Sequence, residues 1–337
     1  MTGQQRVVIF GSTGTIGTHL AEYLSKEYPI WEIHAVTRNA DSSSRLKTMA
    51  LPNVQMVTGD PFDKQSVLDL TKDCDVIVSC LGFVKYETKY WAKHWPLTVD
   101  NLLAATTAAG TKKRRLVFCD NLYSYGNPAG TAISTHTKPL EASLKSKPCI
   151  RATIRQTFSK HMVEHPGTLS IIGGADFFGP YATATSFLGD TMTGKIVATQ
   201  GTATVIAIGS ADKVHDFCYV VDFAKALGIA CVNDKALDKF WICPHAVHGK
   251  TMRQIAADIA KQAGKPTPKL QVITGWMVTM LSLFVGFMGE MKEMLIIWNE
   301  DYVIDDSEFI QAFNVQPTPY EEALDATIQF YKENAAS

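Results

Sequence analysis

The sequence predicts an α/β fold, a doubly wound parallel sheet with a smaller C-terminal lobe. Two observations carry this. Strand-like and helix-like patterns alternate through the first 120 residues, at a spacing that implies right-handed βαβ units. From about residue 180 the pattern loosens into shorter elements and turns. The expected division is therefore residues 1–180 and residues 181–337, with the sheet partly shared. No internal repeat or low-complexity linker argues for another arrangement.

Element by element, "RVVIFG" (6–11) reads as a buried strand ending in glycine. An amphipathic helix follows, with Ile16, Leu20 and Leu24 on one face. "EIHAVTR" (32–38) and "VQMVTGD" (54–60) are the second and third strands, "DKQSVLDLT" (63–71) a helix and "CDVIVSCLG" (74–82) the fourth strand. The helix through "LTVDNLLAATTAAG" is expected to stop at Gly110. "RRLVFCD" is the fifth strand, "SKPCIRATIRQTFSKHMVEHPG" a helix closed by Pro166 and Gly167, and "TLSIIGGADFFGP" a sixth strand with its exit loop.

The formal net charge of −1 gives no electrostatic case for binding nucleic acid or an anionic membrane. The basic run Lys112, Lys113, Arg114, Arg115 reads as a solvated helix end leading into a strand. Seven scattered cysteines, without CxxC pairs, predict free thiols in a reducing compartment. A strand-like run begins by residue 6, so no signal peptide is expected and the default location is cytoplasmic. The uncharged stretch 271–289 is long enough to cross a bilayer. Its Thr274, Thr279, Ser282 and glycines argue against a span. An apolar wall of a substrate pocket is the favoured reading, and peripheral membrane contact is the other.

"IFGSTGTIGTHLAEYL" spaces Gly11, Gly14 and Gly17 as G-x-x-G-x-x-G between a strand and a helix. Gly11 permits a tight turn, Gly14 lets backbone approach a pyrophosphate, and Gly17 lets helix and strand pack closely. Thr13, Thr15 and Ile16 complete the loop and present the helix N-terminus to the anion. The second strand ends Thr37-Arg38-Asn39, with no acid until Asp41 to accept the ribose hydroxyls of NAD. Arg38 suits a 2′-phosphate instead, so NADP is favoured over NAD. Asp60 is placed either to approach adenine or to cap the next helix.

The whole pattern resembles the extended short-chain dehydrogenase/reductase superfamily, the NAD(P)-dependent epimerase/dehydratase group. The resemblance rests on "GSTGTIG", on "CLG" with Leu81 and Gly82, and on "YSYG" after the fifth strand. It continues in "ADFFGP" (175–180), similar to R-x-x-N-x-x-G-P, and "HDFCYVVDFAKA" (215–226), similar to R-x-F-x-Y-V-x-D-x-A. It ends with "DDSEFIQAFNVQPTPYEEAL". It implies a Rossmann-like cofactor lobe and a substrate lobe with chemistry in the cleft between them. Association is left open, a homodimer through two helices being frequent in the family.

Such proteins usually carry Ser or Thr after the fifth strand and Tyr-x-x-x-Lys on the next helix. The tyrosine moves a proton to or from the substrate oxygen, while the lysine lowers its pKa and holds the nicotinamide ribose. Here Asn121 takes the Ser position, and no Tyr-x-x-x-Lys occurs. The best register puts Lys147 and Arg151 in place of the Tyr and Lys, four apart on one helix face, with Pro148 in the first turn. The Arg and Asn of R-x-x-N-x-x-G-P become Gly173 and Asp176. Asp120, Asn121, Tyr123, Tyr125, Lys147, Arg151 and Asp176 are expected to converge.

Three functions remain open on this reading. The first is an NADP-dependent oxidoreductase whose acid is Tyr123, Tyr125 or Lys147, with Asn121 on the carbonyl and Arg151 on the ribose. The second is redox-neutral epimerisation, isomerisation, dehydration or cyclisation. The third is a cofactor sensor or scaffold without turnover. Trp276, Met277, Met280 and Phe284 favour a small apolar alcohol, ketone or enone over a nucleotide sugar. "YETKYWAKHWP" (86–96) is a candidate lid over the nicotinamide. "HMVEH" (161–165) spells H-x-x-E-H, but Pro166 and Gly167 end its helix, so no metal is expected. His245 and His248 suit a loop or pocket rim better than ligation.

Overall fold

The computed structural model describes residues 3–39, 45–109, 113–128, 130–284 and 286–334. Asp41, Gly110 and Lys112 therefore lie outside the described residues. The chain forms two units, interleaved in sequence. The first comprises residues 1–120, 141–173 and 223–241, the second residues 121–140, 174–222 and 242–337. The expectation was a boundary after residue 180 with the sheet partly shared. The chain leaves the first unit and returns, because its sheet recruits a strand from beyond residue 223.

The first unit is built on a seven-stranded sheet. Its strands are β1 (Arg6–Phe10), β2 (Glu32–Thr37), β3 (Val54–Thr58), β4 (Val76–Ser79), β5 (Arg115–Asn121), β6 (Leu169–Gly174) and β7 (Lys239–Ile242). Their order is β7-β6-β5-β4-β1-β2-β3. The neighbours from β3 to β5 pair parallel, with Val7 opposite both Ile33 and Val76. The order reverses between β1 and β4, the switch point where ligands of open α/β sheets bind. Central strands read as continuous apolar runs because both faces are covered: Val7, Val8, Ile9 and Phe10 are wholly buried, as are Ile77 and Val78.

The crossover helices are α1 (Thr15–Glu27), α2 (Lys64–Thr71), α3 (Thr88–Thr107), α4 (Lys147–Glu164) and α5 (Val220–Val232). Asp63 caps α2 by accepting the Gln65 N–H. Ser146 caps α4 by accepting the Cys149 N–H, and Pro148 occupies its first turn, where a missing N–H costs nothing. Arg114 and Arg115 correct the expectation of a solvated basic run. Arg114 is buried and donates to the carbonyls of Lys72, Ala105 and Ala108, and Arg115 pairs with Asp234. Only Lys113 of the described part of the run is exposed.

In the second unit Thr204–Ile208 pairs parallel with Lys269–Ile273, and Phe177–Phe178 with Cys218–Tyr219. Helix Met252–Ala263 opens with a reciprocal Thr251/Gln254 capping box and closes at Gly264 in the left-handed region. The stretch 271–289 is a strand followed by the short helices Gly275–Leu281 and Gly286–Lys292. Trp276, Met280 and Phe284 are exposed by 70%, 54% and 83%, and Met277 is half-buried. Among the described residues no helix is long and apolar enough to cross a membrane. All seven cysteines are thiols, none joined in a disulfide.

Candidate active site

Within the first unit, the loops after β1, β2, β3 and β4 enclose a cleft of about 620 Å³. Gly11, Thr13, Gly14, Arg38, Leu81 and Gly82 line it, together with Phe62, Phe83, Lys85 and Tyr90. The loop is held by Ser12, whose hydroxyl donates to the Val36 carbonyl, and by Thr18, whose hydroxyl donates to the Ser12 carbonyl. Gly11 has φ +79°, and a Cβ there would meet the Cys80 carbonyl oxygen at 2.5 Å. Helix α1 starts at Gly14 without a side-chain cap, so its positive end faces the cleft dressed only by backbone. Thr15, Ile16 and Gly17 form its first turn. Asp60 does not line the cleft: its carboxylate accepts the Phe62 N–H in a tight turn.

The glycines test whether this cradle fits a pyrophosphate. A Cβ on Gly17 would overlap the Gly11 carbonyl oxygen and the Ser12 Cα, so Gly17 serves packing. A Cβ on Gly14 would meet only the Gly11 oxygen at 3.3 Å, so Gly14 keeps open the space that a ligand needs. The fit is good. Gly14→Ala is expected to retain thermal stability while losing dinucleotide binding at least about tenfold, because one methyl displaces a charge-assisted contact. Gly17→Ala is expected to lower the unfolding temperature as well. Calorimetry with a parallel cofactor titration separates the two.

At the positions matched to Tyr-x-x-x-Lys, helix α4 does carry Lys147 and Arg151 on one face, but it turns them inward. The Arg151 guanidinium lies 3.0 Å from an Asp120 oxygen, with side chains 5% and 0% exposed. It also stacks on Trp95 at 3.7 Å. Lys147 is wholly buried, 4.5 Å over the Tyr86 ring and within hydrogen-bond reach of the Thr88 hydroxyl. Trp91 and Trp95 are buried in the same cluster, which corrects the lid expected of 86–96. Of that segment only Tyr90 lines the cleft.

The residues after β5 form a second set of contacts, inside the second unit. Asn121 turns its carboxamide oxygen to the Tyr123 N–H, shaping the single turn Tyr123–Tyr125. The Tyr123 hydroxyl donates to Asp176 at 3.4 Å, and the other Asp176 oxygen takes His215 at 2.9 Å. His215 stacks flat on Trp298 at 3.9 Å and against Tyr302 at 5.0 Å. Burial, and then the charge of Asp176 and the neighbouring Tyr125, hold the Tyr302 hydroxyl well above its usual pKa. Tyr125 is buried, while Tyr123 and Asn121 remain half-exposed. His215 and Tyr302 join this set without being candidates on the sequence. The signal for His215 was its place at the arginine of R-x-F-x-Y-V-x-D-x-A. Tyr302 had no sequence signal.

Nearby in this unit, His245 and His248 hold structure. His245 is wholly buried: its Nε2 accepts the Ala175 N–H, so Nδ1 carries the proton shared with the Cys243 carbonyl. His245 lies in a loop, one of the two placings expected for it, but inside the fold rather than at a rim. His248 bridges Asp216 and Asp306, whose hydrogen bonds raise its pKa to about 10. Burial alone would raise the Asp306 carboxyl, but hydrogen bonds from His245 and His248 outweigh it and hold it well below the carboxylate range. A raised histidine pKa stabilises the fold fully below the unfolded value near 6.5 and loses that contribution as pH rises through 10. The His248 side chain is 43% exposed, so solvent screening reduces the gain to about 1–2 kcal/mol. His248→Gln is therefore expected to cost about that much at pH 6 and less than half of it at pH 9, read from denaturant curves. Among the described residues no cluster of metal-ligating side chains occurs.

Sheet order, phosphate loop and crossover helices define a Rossmann-like α/β protein with a nucleotide cradle. The profile of the NAD dependent epimerase/dehydratase family matches residues 7–243, and the chain belongs to that family. A phenylcoumaran benzylic ether reductase of Pinus taeda is 25% identical over 118 residues, 34% of this chain and 35% of that protein. The match thus spans about a third of that relative's length. Solved structures of similar fold include a Bacillus anthracis dTDP-glucose 4,6-dehydratase in complex with NAD (TM-score 0.77, 17% identity, 98% of this chain and 97% of that one). A Thermotoga maritima UDP-glucose 4-epimerase with UDP-glucose gives TM-score 0.76 at 14% identity, covering 98% and 99%. A Streptomyces venezuelae dTDP-glucose 4,6-dehydratase gives 0.78 at 15%, covering 98% of each chain.

Proposed function

We propose that this protein is an NADP-dependent oxidoreductase acting on a small apolar alcohol, ketone or enone. The observation that carries the cofactor choice is the charge of the cleft. Arg38 and Lys85 line it, and none of its described lining residues is acidic. A ribose 2′-phosphate calls for cations there, whereas a carboxylate serving the ribose hydroxyls of NAD would repel it. Arg38 is exposed, and no described residue engages its guanidinium. The redox reading is supported by the reductase named among the relatives. The absence of disulfides among the described cysteines supports a reducing, cytoplasmic setting.

Gly11, Thr13 and Gly14 would hold the pyrophosphate and Arg38 the 2′-phosphate. Bound there, NADP supplies or accepts a hydride. The chain's own contribution is proton transfer. Tyr125, Lys147 and Arg151 are buried, which leaves the half-exposed Tyr123 as the proposed proton donor and acceptor. Asp176 fixes the direction of its hydroxyl, and Asn121 shapes the turn that presents it. Lys147 and Arg151 then act as buried supports. The test is NADPH oxidation followed by absorbance with a panel of small apolar ketones and enones. Stoichiometric oxidation supports the proposal. Conversion of substrate with NADPH unchanged replaces it with isomerisation or dehydration.

A further inference from the structure

We propose that Lys85 is the second arm of a two-cation clamp for the cofactor's 2′-phosphate, kept ready by Glu87. This rests on the reading that the cleft takes NADP. The topology supports the pairing: β2 and β4 flank β1 in the sheet, Arg38 follows β2, and Lys85 sits in the loop after β4. The two cations thus come from the loops on either side of the phosphate loop, and both line the same cleft.

Lys85 is held, but lightly. Its ammonium lies 3.4 Å from a Glu87 oxygen, with side chains 55% and 54% exposed, and 5.6 Å from the centroid of Tyr90, itself a lining residue. An ion pair this exposed is weak and exchanges readily. Glu87 is not a lining residue, so the carboxylate that holds the ammonium lies outside the lining to which Lys85 belongs. A phosphate near neutral pH carries close to two negative charges, and a lysine on its flexible stem meets it as a point charge. Arg38 supplies planar, directed hydrogen bonds, and Lys85 adds charge. The clamp therefore discriminates by phosphate charge rather than by adenine or ribose.

The experiment is equilibrium titration of the full chain with NADPH and with NADH, using Lys85→Ala, Glu87→Gln and Arg38→Ser, each checked for native circular dichroism. Lys85→Ala is expected to weaken NADPH about fivefold to tenfold and to leave NADH unchanged, with a shallower salt dependence for NADPH. Glu87→Gln is expected to tighten NADPH about twofold, since the ammonium no longer leaves a partner. If Lys85→Ala leaves NADPH untouched while Arg38→Ser weakens it, the clamp is overturned and the NADP reading stands. Equal weakening of both cofactors by Lys85→Ala also overturns the clamp. If the wild-type chain binds NADPH no better than NADH and no variant changes this, the clamp and the reading fall together.

Discussion

Arg38→Ser is expected to weaken NADPH binding about 10- to 100-fold and to change NADH binding by less than about twofold. A hydrogen bond to a charged group contributes roughly 1.5–3 kcal/mol, and each 1.4 kcal/mol is a factor of ten in affinity. Arg38 is exposed and lines the cleft, so its guanidinium is placed to meet a ligand. Stability should stay within about 0.5 kcal/mol of wild type, as for surface changes away from structural features. Fluorescence titration of both cofactors reads the effect. Equal loss for NADPH and NADH would mean that Arg38 serves adenine or the pyrophosphate instead.

Arg151→Met is expected to destabilise the first unit by about 3–5 kcal/mol, because it breaks a buried ion pair by removing only one of its two charges. The guanidinium also stacks on Trp95, so the loss includes a packed face that methionine only partly refills. The double variant Asp120→Asn, Arg151→Met is expected to recover at least about half of the loss, since both charges go together. Denaturant unfolding followed by tryptophan fluorescence reports it, Trp91 and Trp95 being buried in this cluster. If Arg151→Met costs less than about 1 kcal/mol, the pair is not a structural support, and a role for Arg151 toward ligand gains ground.

The elements whose cause is local were legible in the sequence. Strand β1, its glycine turn and the amphipathic start of α1 could be read from one short stretch, and Pro148 marked the first turn of α4. What distant partners decide was not legible. Arg114 looked solvated because its acceptors are carbonyls from Lys72 and from the end of α3. The four-residue spacing of Lys147 and Arg151 puts them on one face of α4, but the aromatic wall that covers them comes from residues 86–95. Hydropathy carries no information about which side of the uncharged stretch 271–289 faces water, so the exposure of Trp276, Met280 and Phe284 could not be read from it. The Asp176–His215 contact joins residues 39 positions apart, so only the motif departures hinted at it.

The most direct test of the central claim is the ratio of dissociation constants for NADPH and NADH, measured on the wild-type chain at fixed ionic strength. A cleft lined by Arg38 and Lys85 and free of described acids predicts NADPH tighter by at least about tenfold, narrowing as salt is raised. Equal binding, or a preference for NADH, would contradict the assignment of NADP as cofactor.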